Sequence, residues 1–235
     1  MMIEPTPERA APGEAEIGRD REGVIVAVTA RSSEVRRFDV ATRVVHWAVA
    51  ALVLTMAITG TILYVGQLSA VVGRRALLAR IHVWSGIVLV VIAVGVAVAR
   101  PITAALRAEL FDLGHWTASD RRWLRRRTRS TPAGKYNGGQ KFATAAFGGL
   151  LVMQILTGGL MHWNEPFSDS WRTGATFVHD WSYLALVVLI VGHVLRAVGE
   201  PALLRAIVRG RVPRTWAERE RPGWLAAIDD SDSDH

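Results

Sequence analysis

Five of the seven histidines fall within or at the ends of long apolar runs, where an imidazole can ligate a metal or carry a proton. His46 lies near the start of the first run and His82 at the start of the second. His162 closes the third run, and His179 and His193 sit near opposite ends of the fourth. A spacing of 14 residues is nearly four helical turns, so His179 and His193 share one face, about 21 Å apart along the axis. In an antiparallel bundle the histidines then sort by depth. His46 meets His193 at one level and His82 meets His179 at the other, with His162 a spare at the second level. Two imidazoles from facing helices can hold a planar iron porphyrin edge-on between them, as a bis-histidine b-type haem. The chemistry expected is electron transfer between two stacked haems. A single histidine at a helix end reads better as an interfacial polar residue, but four at two matched depths do not. Zinc fits poorly, because the chain has no cysteine and no Asp or Glu converges on these histidines. His115 reads as a surface residue.

The elements that must position these rings are four runs, 44–65, 81–99, 142–163 and 177–198, each about the 20 residues a helix needs to cross a hydrocarbon core roughly 30 Å thick. Buried helices of a soluble bundle would show a polar stripe every turn, and these runs show none. The expected fold is therefore all-α, an integral membrane four-helix bundle with haems between the helices. Half of the 235 residues are hydrophobic, which excludes disorder throughout, and the absence of cysteine excludes disulfide scaffolds, iron–sulfur ligation and covalent c-type haem.

The net charge of +7 is carried by arginine, since all but Lys135 and Lys141 of the 28 basic residues are Arg. These arginines lie between and beyond the runs, which speaks for a lipid surface and against a nucleic-acid partner. The 100–141 connection holds ten Lys and Arg, against three in the 66–80 loop. By the retention of basic loops inside, both termini and the middle connection are expected in the cytoplasm, in a multi-pass protein of the inner or plasma membrane. Tryptophans near the run ends suit the headgroup belt. The segment 104–129 reads as an amphipathic stretch on the inner leaflet. Residues 1–38 read as a disordered cytoplasmic extension, 39–212 as the membrane domain, and 213–235 as an acidic cytoplasmic tail, disordered from 228 onward.

Several small signals accompany the histidines. Gly60 is 14 residues beyond His46, on the same face but at the depth of the other haem, where a missing side chain gives the macrocycle room. Gly86, Gly158, Gly159 and Gly192 are further candidates for such clearance, with Gly158 and Gly159 assigned beside His162, or for helix packing. Arg43 precedes His46 by three residues and Arg196 follows His193 by three, within reach of inner-haem propionates or of the interface by snorkelling.

The run Arg36, Arg37, Phe38, Asp39 followed by Arg43, His46 and Trp47; His82 with Trp84, Ser85 and Gly86; the turn Gly-Lys-Tyr-Asn-Gly-Gly-Gln-Lys at 134–141; and His179 with His193 together resemble the gamma subunit of respiratory formate dehydrogenase. The similarity covers roughly 35–212, with the extension and acidic tail as departures. The resemblance implies a four-helix cytochrome b carrying two haem b groups, the inner on His46 and His193 and the outer on His82 and His179. It further implies menaquinone or ubiquinone at Asn137, Gly139, Gln140 and His193. The implied partners are an iron–sulfur beta subunit at the outer face and a molybdenum or tungsten catalytic alpha subunit. Formate oxidation would then belong to the partners, and electron passage to quinone and anchoring of the complex to this chain. A cytochrome b for a hydrogenase or another molybdenum oxidoreductase keeps the haems and changes the partner, and a haem-free membrane scaffold uses the histidines structurally.

Overall fold

The computed structural model describes residues 17–19, 25–27, 33–98, 104–126, 134–163, 165 and 167–233. Two short strands, β1 (Ile17–Arg19) and β2 (Ile25–Ala27), pair antiparallel, and β3 (Glu34–Arg36) leads into the first long helix, α1 (Val40–Tyr64). A short α2 (Gly66–Val72) connects it to α3 (Arg75–Val98), and α4 (Ala104–Gly114) and α5 (Ala118–Arg126) follow. The second long pair is α6 (Gly138–His162) and α7 (Asp169–Val198). Then come α8 (Pro201–Arg209), β4 (Arg211–Pro213), α9 (Arg214–Glu220) and α10 (Pro222–Ser233). Helices α1, α3, α6 and α7 are all long and apolar enough to cross a membrane. Their outward side chains, such as Leu156 and Val188, are well exposed within the protein itself, as lipid-facing residues must be. The chain is an all-helical, multi-pass membrane bundle.

Each span begins earlier than its apolar run, and in α1 and α6 a capped polar turn extends the helix into the interface. Asp39 caps α1 by accepting from the Thr42 amide at 2.7 Å. Asn137 and Gln140 form a reciprocal capping box at the start of α6. The helices pack as two hairpins, α1 on α3 and α6 on α7. Along the first, Arg75 reaches the Leu63 carbonyl, His82 reaches Thr59 and Gly86 faces Met56, the stepwise register of antiparallel neighbours.

A small cap closes the end of the bundle where α1 and α6 start and α7 finishes. Strand β3 pairs antiparallel with β4, Val35 opposite Val212, and the Arg37 and Phe38 amides donate to the Gly210 carbonyl. Gly210 adopts φ 83° to end α8, the left-handed region that favours glycine. Val35, Ala206, Val212, Trp216, Ala217 and Leu225 form the core of this cap, with Phe38, Leu203 and Trp224 packed against it.

Two expectations are corrected here. The acidic tail is not disordered: α9 and α10 continue to Ser233, because Trp216, Trp224, Leu225 and Ile228 supply an apolar side that docks on Val35 and Val212. Nor is the segment before α1 without structure, since β3 is an integral strand of the cap. Of the segment 104–129, the described part forms α4 and α5, which pack on α6, so part of its apolar content is consumed in docking. The rest of the leader, residues 99–103 and 127–133, and the last two residues lie outside the described residues, and so do the expectations placed on them.

Candidate functional site

The helices bring the four histidines into two pairs. His46 of α1 faces His193 of α7 with ring centres 6.2 Å apart, and His82 of α3 faces His179 of α7 at 6.3 Å. The cap sets the first pair, because it ties the start of α1 to the segment after α7. The second is set where the two hairpins meet, with the Tyr183 hydroxyl of α7 hydrogen-bonded to the Thr61 hydroxyl of α1 at 2.6 Å. Trp47 and Phe147 stand edge-on to His46 and His193 respectively. An imidazole nitrogen binds a first-row metal at about 2.0–2.1 Å, so two rings on opposite sides of one metal hold their centres about 6 Å apart. Both pairs have that separation. Each offers two imidazoles, the donor set for a macrocycle that fills the equatorial positions itself. Among the described residues no group of three or more His, Cys, Asp or Glu is placed to hold a metal ion.

Sequence reasoning missed the groups that hold the second pair. Thr59 Oγ1 lies 3.1 Å from His82 Nδ1 and donates its own proton to the Thr55 carbonyl at 2.7 Å. The Met56 carbonyl, which can only accept, lies 3.1 Å from the same Nδ1. His82 Nδ1 therefore carries the hydrogen, and the lone pair is left on Nε2. On the other hairpin Thr157 Oγ1 donates to the Met153 carbonyl at 2.6 Å and lies 2.9 Å from His179 Nδ1, an arrangement that favours the same tautomer. Each threonine precedes a glycine. A Cβ on Gly60 would stand 3.3 Å from His82 Cε1, and one on Gly158 3.3 Å from His179 Cε1. Gly158 thus serves His179, whereas the sequence suggested His162. The legible signal was the repeated Thr-Gly step, 59–60 and 157–158. Gly86 faces Met56, Gly159 faces Trp163, and Gly192 has open space beside it. The fifth ring, His162, stands edge-on to Trp163.

The turn entering α6 is built tightly. Asn137 Oδ1 accepts from the Gln140 amide at 2.9 Å and Gln140 Oε1 from the Asn137 amide at 3.1 Å, so both side-chain amides are used as caps. The Trp123 indole covers Gly139, and the Asp120 carbonyl approaches Gly138 so closely that a Cβ there would stand 2.6 Å from it. Arg221 donates to Gln140 Oε1 at 3.4 Å. Lys141, buried, donates to Asp120 Oδ2 at 2.8 Å and to the His115 carbonyl at 2.7 Å. Burial alone would raise the Asp120 carboxyl, but hydrogen bonds from Lys141 and Thr117 outweigh it and hold it below its ordinary range. Next to this turn Lys135 and the Tyr136 hydroxyl both engage Glu109, and burial together with that carboxylate pushes the phenol upward. Arg37, almost fully buried among the rings of Phe38, Tyr136, Trp216 and Trp224, is lowered by desolvation to about 10.

The two arginines considered for propionates have protein partners. Arg43 donates to the Val208 carbonyl at 2.7 Å and the Asp39 carbonyl at 3.3 Å, and Arg196 pairs with Glu200 at 3.0 Å.

The profile of the prokaryotic cytochrome b561 family matches residues 37–210. Two curated relatives from Escherichia coli resemble part of the chain. One is the formate dehydrogenase cytochrome b556(fdo) subunit, 29% identical over 99 residues, 40% of this chain and 46% of that protein. The other is the nitrate-inducible formate dehydrogenase cytochrome b556(Fdn) subunit, 23% identical over 104 residues, 43% of this chain and 48% of that protein. The matched region spans about half the length of each relative.

Proposed function

The chain belongs to the prokaryotic cytochrome b561 family, and from that premise we propose that it is the di-haem b-type cytochrome subunit of a respiratory formate dehydrogenase. It anchors the complex, takes electrons from an iron–sulfur beta subunit at the outer face and delivers them to menaquinone or ubiquinone near the cytoplasmic face. Formate oxidation resides in a molybdenum or tungsten alpha subunit. The observation that carries this reading is the two imidazole pairs, 6.2 and 6.3 Å between ring centres, at two depths of one bundle.

Bound between each pair, an iron porphyrin supplies a one-electron carrier. The chain's own residues do the rest. His82 and His179 present Nε2 lone pairs with their ring orientation fixed from behind by Thr59 and Thr157. His46 and His193 do so at the level of the cap, and the apolar spans keep water from both levels. Quinone is assigned to Asn137, Gly139, Gln140 and His193, with the positive end of the α6 dipole favouring charge that arrives on a carbonyl oxygen at the turn, and His193 standing further along α6 at Phe147. Because the Trp123 indole lies over Gly139, entry there requires that ring to swing aside. Both termini lie in the cytoplasm, as the basic connections direct. Arg43 and Arg196 are placed at the same level as the inner pair, where propionate contact would require them to leave Val208 and Glu200.

The test is a haem count. Pyridine haemochrome and reduced-minus-oxidised spectra of the full chain should give two b haems per protein, falling to about one in His193→Ala. A folded wild type without haem overturns the reading. Co-purification of an iron–sulfur subunit and a formate-oxidising subunit tests the partner assignment separately.

A further inference from the structure

The two Thr-Gly steps, 59–60 on α1 and 157–158 on α6, make the same contact with two different histidines on two different hairpins. In each, the glycine lets the ring approach to a distance a Cβ would crowd, and the threonine oxygen stands at Nδ1. In each, the threonine's single proton is committed to a carbonyl one turn back, so toward the ring it acts as acceptor. Among the described residues no such hydroxyl stands behind His46, whose Nδ1 is buried and has no hydrogen-bond partner. The two pairs are alike in separation and unlike in what stands behind the rings.

We propose that Thr59 and Thr157 are positioning residues that lower the reduction potential of the group held by His82 and His179 relative to the group held by His46 and His193. This rests on the di-haem reading above. An imidazole whose Nδ1–H is held by fixed acceptors is the more basic ligand at Nε2. A more basic axial ligand favours the ferric over the ferrous state. The contrast with His46, which lacks such an acceptor, makes the outer level the poorer electron acceptor and the inner level the better one. Electrons entering at His82 and His179 then move to His46 and His193 down a gradient built by two hydroxyl groups. The two threonines are not equivalent, because His82 Nδ1 keeps the Met56 carbonyl when Thr59 is lost. For His179 Nδ1 the Thr157 oxygen is the acceptor the structure shows.

The experiment is a redox titration of the haem-loaded full chain in nanodiscs, repeated in a His46→Ala background that keeps the outer haem alone. Thr157→Val, which removes the hydroxyl at nearly constant volume, should raise the outer-haem midpoint by about tenfold in its reduction equilibrium constant, about 59 mV for a one-electron couple. Thr59→Val should shift it less, and Thr157→Ser should restore it. Low-spin ferric electron paramagnetic resonance of the same samples reads the change in axial field directly. If Thr157→Val loses the outer haem while Thr157→Ser keeps it at the wild-type midpoint, the acceptor role stands. Unchanged midpoints in both Val variants, or a shift confined to the inner haem, overturn the proposal and leave the di-haem reading intact. A wild type without two b haems overturns the reading itself.

Discussion

Asp120 joins the helical connection between the hairpins to the start of α6, and removing its carboxylate should loosen that connection. The Asp120 and Lys141 side chains are 7% and 9% exposed and bonded at 2.8 Å. Loss of one partner from such a buried pair costs about 3–5 kcal/mol, mostly as an uncompensated charge. Lys141 keeps the His115 carbonyl, which places Asp120→Ala near the low end, about 3 kcal/mol. Asp120→Asn retains an acceptor for Lys141 and Thr117 but leaves the Lys141 charge unpaired, and should cost about 2 kcal/mol. The observable is amide hydrogen exchange across α5, whose opening equilibrium should rise about 100-fold in Asp120→Ala. Because the native carboxyl sits below its ordinary value of 3.8, its contribution is complete above that pH and is lost as pH falls through the lower native value. Exchange in α5 should therefore be insensitive to this group at neutral pH and accelerate selectively in acid. Combining Asp120→Leu with Lys141→Met, which removes both charges, should return most of the loss. Protection of α5 unchanged to within about threefold in Asp120→Ala would refute the assignment of the pair as the clamp.

Two shorter predictions concern the cap. In Gly210→Ala the new Cβ would meet the Phe38 carbonyl at 2.7 Å in a left-handed backbone, so the midpoint of thermal unfolding should fall by the equivalent of about 1–3 kcal/mol. Asp39→Ala removes the cap of α1 and should cost about 1 kcal/mol at neutral pH, measured by denaturant titration. Burial opposes the low Asp39 carboxyl and its Thr42 hydrogen bonds prevail, so the difference from wild type should shrink below the ordinary carboxylate range as the native residue is protonated.

The membrane spans were legible because lipid demands long uninterrupted apolar runs, and the pairing of His46 with His193 and of His82 with His179 followed from helical rise and antiparallel direction. The cap was not legible. Val35, Val212, Trp216 and Leu225 are single apolar residues scattered through charged stretches, with no period to betray them, and the acidic composition after 228 outweighed Trp224 and Ile228. Thr59 and Thr157 were hidden for a different reason. A threonine in a membrane helix ordinarily satisfies itself on the preceding turn, as these also do, and only the neighbouring helix shows what the oxygen's remaining lone pair is used for. The turn at 137–140 drew attention for its amides, which the structure spends on capping.

Helix α7 contributes one ring to each pair, and its position as the last of the four spans sets an order of assembly. A nascent chain halted before residue 179 has His46 and His82 in place, each without its opposite number. The His82–His179 pair forms as His179 emerges, and the His46–His193 pair waits for His193 and for β4, which ties the segment after α7 back to the start of α1. On the di-haem reading, loading of either level would be a late event in biogenesis, and a truncation that removes α7 would disarm both levels together.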